Sequence, residues 1–257
     1  MLSYQHAYHA GNLADLHKHA ALALALDYLT RKDKPISYIE THAGRGLYDL
    51  AAPEALKTGE AAQGIGAHDA WFADHPLGHA LATIRAAHGP RAYPGSPLIA
   101  RTLLRDSDRL HLADLHPAEY AALRQNLRAP NVKTYHQDGF ALAQSLCPPD
   151  PRRGVLLVDP SWEVKTDYTA VPKFLTQMHR KWNVGVLMLW YPILTDAPHA
   201  PMLRALRRDL PDALVSEVGF PPARPGHRMV GSGLFIVNAP WGLETGLSDL
   251  TRRFRAL

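Results

Sequence analysis

Two hydrogen-bond acceptors and an aromatic ring set side by side can activate an exocyclic amine, and Asp159-Pro160-Ser161-Trp162 supplies that set. Such an amine is a poor nucleophile because its lone pair is conjugated into the ring. With the Asp159 carboxylate and the Pro160 carbonyl on its hydrogens, the pair is freed for attack, while Trp162 stacks on the base plane. The plainer reading stands beside this one, since Asp-Pro is an ordinary strand stop and tryptophan is often a core residue. A second constellation is Thr41-His42-Ala43-Gly44-Arg45-Gly46, a glycine turn whose backbone can approach a nucleotide-like ligand. Asp49 stands where a dinucleotide fingerprint wants its third glycine, which counts against a nicotinamide cofactor. Asp114 suits a ribose grip or a helix cap, and Asp138-Gly139-Phe140 suits an adenine edge or another cap. Tyr4, His6, Tyr8 and His9 crowd hydrogen-bonding aromatics near the N-terminus, where they touch either the core or a ligand. No cysteine or acid stands at zinc-ligand spacing from these histidines, so no metal is expected.

The elements that must position these residues follow from apolar patterning. Gly154 to Val158 is apolar without alternation, as in a parallel strand covered on both faces, and Asp159 to Trp162 then fall at its carboxyl end, where open α/β sheets bind ligands. The spacing predicts an amphipathic helix from Asn12 to Arg31 behind the caps Asn12 and Asp15, then a strand from Ile36 to Glu40. Further strands are expected at Leu110 to Asp114, Val132 to His136, Val184 to Trp190, Ala213 to Val218 and Gly233 to Asn238. Helices are expected at Leu98 to Arg105, Pro117 to Leu127, Asp167 to Trp182, Met202 to Leu210 and the C-terminus. Pro172 must sit near the start of its helix or kink it. The stretch 47–94 is too long for a simple crossover and carries Ala-rich pieces near Glu60 to Phe72 and Leu77 to His88. It reads as an inserted helical subdomain within a larger α/β domain of residues 1–46 and 95–257. Pro221 to Gly231 reads as a mobile loop beside the site, and Arg252, Arg253 and Arg255 as a small basic patch.

A chain of 257 residues with 46% hydrophobic content fills one large α/β domain. Its formal net charge of +4 permits an anionic partner such as nucleic acid without demanding one. The single cysteine, Cys147, excludes an internal disulfide and fits a reducing compartment. With neither a leader pattern nor an 18-residue apolar run, a soluble, cytoplasmic protein with no membrane partner is expected.

The alternation of strands and helices, with the order glycine turn, ribose acid, Asp-Gly corner and Asp-Pro-x-aromatic loop, resembles class I S-adenosylmethionine-dependent methyltransferases that act on amino groups. The run Leu2-Ser3-Tyr4-Gln5-His6-Ala7-Tyr8-His9-Ala10-Gly11-Asn12, with Asp15, Lys18 and His19, is similar to the bacterial 23S ribosomal RNA adenine-N6 methyltransferase family called RlmJ. So are Asp33-Lys34-Pro35, Thr41-His42-Ala43-Gly44, Tyr93-Pro94-Gly95-Ser96-Pro97, Glu119, Lys165-Thr166-Asp167-Tyr168 and Trp190-Tyr191-Pro192. The resemblance implies a Rossmann-like fold with a mostly parallel seven-stranded sheet. It also implies methylation of N6 of a single adenine in 23S ribosomal RNA, with the RNA protein-free or in an early assembly intermediate and the enzyme a monomer.

Carried over residue by residue, the resemblance places S-adenosylmethionine against His19, His42, Ser96, Asp114, Asp138 and Gly139, with Lys18 close by and Gly44 in the turn. Asp159 becomes the catalytic residue, with Pro160 and Trp162, and Tyr4 and His6 join Trp162 near the substrate. The family's acid at the ribose position is glutamate, one methylene longer than Asp114. Its Asp-Pro-Pro-Tyr motif is here Asp159-Pro160-Ser161-Trp162, which exchanges a rigid proline for serine. The chain ends at Leu257, short of the family's C-terminal tail, a difference expected to alter substrate contacts and not the donor site. Three other readings compete: DNA adenine methylation, a nicotinamide-dependent oxidoreductase, and a catalytically weakened RNA-binding protein.

Overall fold

All five residues of Gly154–Val158 are buried, as an apolar run without polar alternation requires. A computed structural model describes residues 4–257 and places this strand at the centre of a seven-stranded sheet. Met1 to Ser3, which carry the Leu2-Ser3 start of the family-like N-terminal run, lie outside the described residues. In chain order the strands are β1 (Ser37–Glu40), β2 (Leu47–Asp49), β3 (Ala92–Pro94), β4 (Arg109–Ala113), β5 (Val132–Tyr135), β6 (Gly154–Val158), β7 (Val186–Leu194), β8 (Leu214–Gly219) and β9 (Met229–Val237). The large sheet runs β5-β4-β1-β6-β7-β9-β8; β9 is antiparallel to both its neighbours and the other pairings are parallel. Strand order reverses between β1 and β6, so their carboxyl ends open the crevice where an open α/β sheet binds its ligand. This is a Rossmann-like α/β fold with a mostly parallel seven-stranded sheet, as the family resemblance implies.

Helix α1 (Leu13–Thr30) lies on one face of the sheet and buries Leu16, Ala20, Ala21, Leu22, Ala23, Ala25 and Leu26 completely. A helix apolar on nearly every side must be covered on nearly every side. Its cover comes partly from the segment 47–94, whose short helices α2 (Pro53–Thr58), α3 (Glu60–Gln63) and α4 (Ile65–His68) lead into α5 (Pro76–His88). Ile65, Phe72, Leu77, Leu81, Ile84 and Tyr93 belong to the same apolar cluster as α1. The segment is not purely helical, because β2 and β3 pair antiparallel as a small ribbon. Three-residue strands are too short for alternation to reveal. The predicted piece from Glu60 to Phe72 is broken at Gly64, where a Cβ would lie 2.1 Å from the Gly11 carbonyl oxygen.

The same face carries α6 (Ser96–Leu103), with Pro97 in its first turn, and the C-terminal helix α11 (Leu243–Phe254); α7 (Pro117–Asn126) follows β4. The opposite face is covered by α8 (Gly139–Leu146), α9 (Asp167–Lys181) and α10 (His199–Asp209). Pro172 lies in the second turn of α9, where little of the hydrogen-bond ladder is lost.

Two strand boundaries differ from expectation. Strand β7 continues past Trp190 through Pro192, and β9 starts at Met229, so Met229 to Gly231 pair with β7 and leave the loop at 220–228. Proline and glycine signalled an interruption there, and the tertiary pairing of β7 with β9 overrides it. No helix among the described residues is long and apolar enough to cross a membrane.

Candidate active site

Two adjoining cavities open at the carboxyl ends of β1, β4 and β6. The first is lined by His19, His42, Gly44, Ser96 and Asp114. The second is lined by Trp162, Trp190, Pro192, His227 and Met229. Tyr4, His6, Lys18, Asp159 and Ser161 border both and form the wall between them. Pro160 lines the first. The arrangement suits a group transferred from a ligand in one cavity to a ligand in the other, past Asp159.

Helix α1 supplies the cation of this wall. Asn12 caps it by accepting from the Asp15 amide at 2.9 Å, which puts Asp15 and Lys18 on one helix face. Lys18 Nζ donates to Asp159 Oδ2 at 2.6 Å and lies 3.1 Å from Asp15 Oδ1. Burial opposes the charge of Lys18, and the two carboxylates more than offset it, so its pKa is raised. Burial likewise pushes Asp15 up, yet His6, Lys18 and His19 hold its carboxyl well below the ordinary range. Asp15 is thus the hub of the wall, and it also caps the helix start by accepting from the Gly11 amide at 2.9 Å. His6 Nε2 donates to Asp15 Oδ2 at 2.9 Å, and Tyr4 Oη is 2.8 Å from His6 Nδ1. Burial, reinforced by Asp159 and Asp15, raises the Tyr4 hydroxyl well above its usual pKa and keeps it neutral.

The first cavity has the features a nucleoside ligand needs. Asp114 ends β4 and accepts from the Gly44 and His116 amides, both at 2.8 Å, and burial raises its pKa. Gly44 has φ +61°, and a Cβ there would sit 2.6 Å from the Tyr48 hydroxyl, so the turn accepts only glycine without a shift. His19 Nδ1 is 2.9 Å from the Tyr93 hydroxyl, while its buried Nε2 has no hydrogen-bond partner. Burial lowers His19 to about 3 and His42 to about 4, so both rings are neutral at pH 7. Ser96 donates to Glu40 at 2.5 Å and Tyr38 donates to the other oxygen at 2.8 Å, while burial pushes Glu40 up to about 8.

Asp138 and Gly139 are not among the residues that line this cavity. Asp138 caps α8, accepting from the Ala141 amide at 2.8 Å, and a Cβ on Gly139 would lie 1.8 Å from the Thr41 carbonyl oxygen. Trp162 takes φ 59°, is 7% exposed and lies against Tyr168 with ring centroids 4.7 Å apart. Its Nε1 is buried without a hydrogen-bond partner.

The sequence reading placed none of Asp15, taken there as a helix cap, Glu40 or Trp190 in the site. The i, i+3 spacing of Asp15 and Lys18 signals their pairing, whereas Trp190 gives no local signal because only the sheet brings it to the second cavity. Its indole N–H donates to Ser232 Oγ at 2.9 Å, and Ser232 is 2.9 Å from His17 Nδ1. Among the described residues, no group of three or more His, Cys, Asp or Glu side chains is arranged to hold a metal ion.

Comparison with known proteins gives this geometry its family. Residues 33–254 match the family model described as ribosomal RNA large subunit methyltransferase D, RlmJ. Ribosomal RNA large subunit methyltransferase J of Escherichia coli is 37% identical, over 97% of this chain and 91% of that protein. The protein of the same name from Haemophilus influenzae is 36% identical, over 97% of this chain and 92% of that protein. A crystal structure of a Legionella pneumophila protein superposes with a TM-score of 0.84 at 34% identity, covering 95% of this chain and 92% of that one. The chain belongs to the RlmJ family of ribosomal RNA large subunit methyltransferases.

Proposed function

We propose that this protein transfers a methyl group from S-adenosylmethionine to N6 of an adenine in 23S ribosomal RNA. The observation that carries the reading is Asp159 on the wall between two cavities, followed by a proline carbonyl and an aromatic residue. When bound, S-adenosylmethionine supplies an electrophilic methyl on a sulfonium. Gly44 and Asp114 fit its ribose, with carboxylate lone pairs left over after the two amide bonds. His42 and the free Nε2 of His19 fit its polar ends. Ser96, tied to Glu40, shapes the floor, and Asp138 and Gly139 act by fixing α8 against the Thr41 turn.

The target adenine is extruded into the second cavity and lies against Trp162 and Trp190. Lys18 occupies Asp159 Oδ2, which fixes the carboxylate and leaves Oδ1 to accept from the amine. The Pro160 carbonyl takes the second amine hydrogen. The nitrogen lone pair is thereby directed at the methyl carbon; the N–C bond forms as the S–C bond breaks, and the amine proton leaves toward the Asp159 carboxylate. Holding the two reactants in line accounts for most of the acceleration, since orientation alone is worth up to roughly 7–11 kcal/mol. Tyr4 and His6 complete the wall and exclude water. The 23S substrate is supported by the names of the two curated relatives, and N6 by the acceptor pair of the loop.

Incubation with methyl-labelled donor and 23S RNA from cells lacking the modification, followed by digestion to nucleosides, tests the reading. The label is expected in N6-methyladenosine. Label in another nucleoside, or in DNA and not RNA, would refute it.

A further inference from the structure

The loop 220–228 does not hang free. Gln63 Nε2 donates to the Ala223 carbonyl at 3.1 Å, the Thr195 amide to the Arg228 carbonyl at 3.0 Å, and the Phe220 amide to the Val230 carbonyl at 3.0 Å. The loop is therefore a strap tied at one side to the 47–94 segment and at the other to β7. Its inner residue His227 and Met229, the first residue of β9, line the acceptor cavity. Beneath it lies Glu60, 2% exposed, which accepts from His9 and Asn12 at 3.0 Å through Oε2 while its buried Oε1 has no hydrogen-bond partner. Arg224 Nη1 and His227 Nε2 stand 3.8 and 3.9 Å from that oxygen, close enough to feel the charge and beyond hydrogen-bonding distance.

An extruded nucleotide puts its base in the cavity and keeps its flanking phosphates at the rim. The strap carries Arg224 and Arg228 close in sequence to His227, which lines that cavity. Arg228 is already paired with Asp196 at 2.5 Å, whereas Arg224 faces its carboxylate partner Glu60 at the longer distance of 3.8 Å and its side chain is 54% exposed. Arginine offers a planar fork that matches a phosphate. We propose that Arg224 clamps a backbone phosphate next to the target nucleotide, and that Glu60 and Gln63 give the 47–94 segment its task by holding the strap in place. This rests on the reading of the acceptor cavity as an RNA site.

The test compares wild type with Arg224→Ala, Arg224→Lys and, as a control at the opposite end of the sheet, the exposed Arg180→Ala, using an unmodified fragment of 23S RNA at several salt concentrations. Arg224→Ala is expected to raise the KM for RNA about 5-fold to 10-fold at unchanged kcat and unchanged S-adenosylhomocysteine affinity. Losing one phosphate contact should also flatten the slope of log affinity against log salt by about 0.7 to 0.9. Arg224→Lys should restore the slope and part of the KM, and Arg180→Ala should match wild type. An Arg224→Ala protein with wild-type KM and slope, or with a raised KM at an unchanged slope, would overturn the clamp while leaving the methyltransferase reading intact. A wild-type protein that neither binds nor methylates RNA would sink both.

Discussion

At the scale of single residues, the site depends on charges and neutral rings held where water would not leave them. His17, fully buried beside Ser216 and Ser232, is held neutral because burial lowers its pKa to about 3. Its ordinary value is 6.5, so the unfolded chain binds a proton that the folded chain refuses as the pH falls below 6.5. Stability is lost on acidification through that window, down to about 3, at about 1.4 kcal/mol per pH unit for this one group. Urea unfolding of wild type and His17→Gln at pH 7, 6 and 5 isolates the effect: the difference between the two proteins should shrink with falling pH by that amount. Glu40 runs the other way, since burial raises it to about 8 and stability falls as the pH rises from its ordinary range toward that value. The wall from Tyr4 to Asp159 was only partly legible beforehand. Asp159, Pro160 and Trp162 stand in one short string, and the resemblance supplied Lys18 and Tyr4. Asp15 looked like a cap because helix starts favour acids, and only the fold shows it also joining His6 to Lys18.

At the scale of elements, strands announced themselves where burial on both faces forbids alternation, as in β6 and the first half of β7. They failed where pairing overrides local chemistry, as at Pro192 and Gly231, or where a strand is three residues long, as in β2 and β3. Trp190 was invisible as a site residue for the same reason, because its place depends on the register of β7 and not on its neighbours in sequence. The junction of α8 with the β1 turn offers a sharp test. Gly139 lies so close to Thr41 that any side chain must push the two apart. Gly139→Ala should cost about 2–3 kcal/mol of stability by overpacking and weaken S-adenosylhomocysteine binding at least several-fold, because the displaced turn carries His42 and Gly44. Denaturant unfolding and calorimetric titration would check both. A stable variant with full affinity would show that the turn does not position the donor.

At the scale of the whole molecule, the 47–94 segment shares its apolar cluster with α1 and touches the strap by the acceptor cavity, so it belongs to the catalytic body in packing as well as in chain order. A ligand that binds the folded state alone stabilises it by RT ln(1 + [L]/Kd), about 2.7 kcal/mol at a hundredfold excess over Kd. S-adenosylhomocysteine should therefore raise the unfolding midpoint of the whole chain, and NADH at equal concentration should not. A shift with NADH alone would return the glycine turn to the dinucleotide reading.

In the proposed reaction Asp159 grips the amine that receives the methyl group. Single-turnover methylation of 23S RNA by Asp159→Ala measures this directly, with S-adenosylhomocysteine affinity and the unfolding midpoint followed in the same preparation. Lys18 keeps Asp15 as a partner, so the variant should fold and bind the donor product within about threefold of wild type. The rate should fall by on the order of 100-fold or more, the loss typical of one preorganised electrostatic group. A rate within a few fold of wild type would contradict the claim.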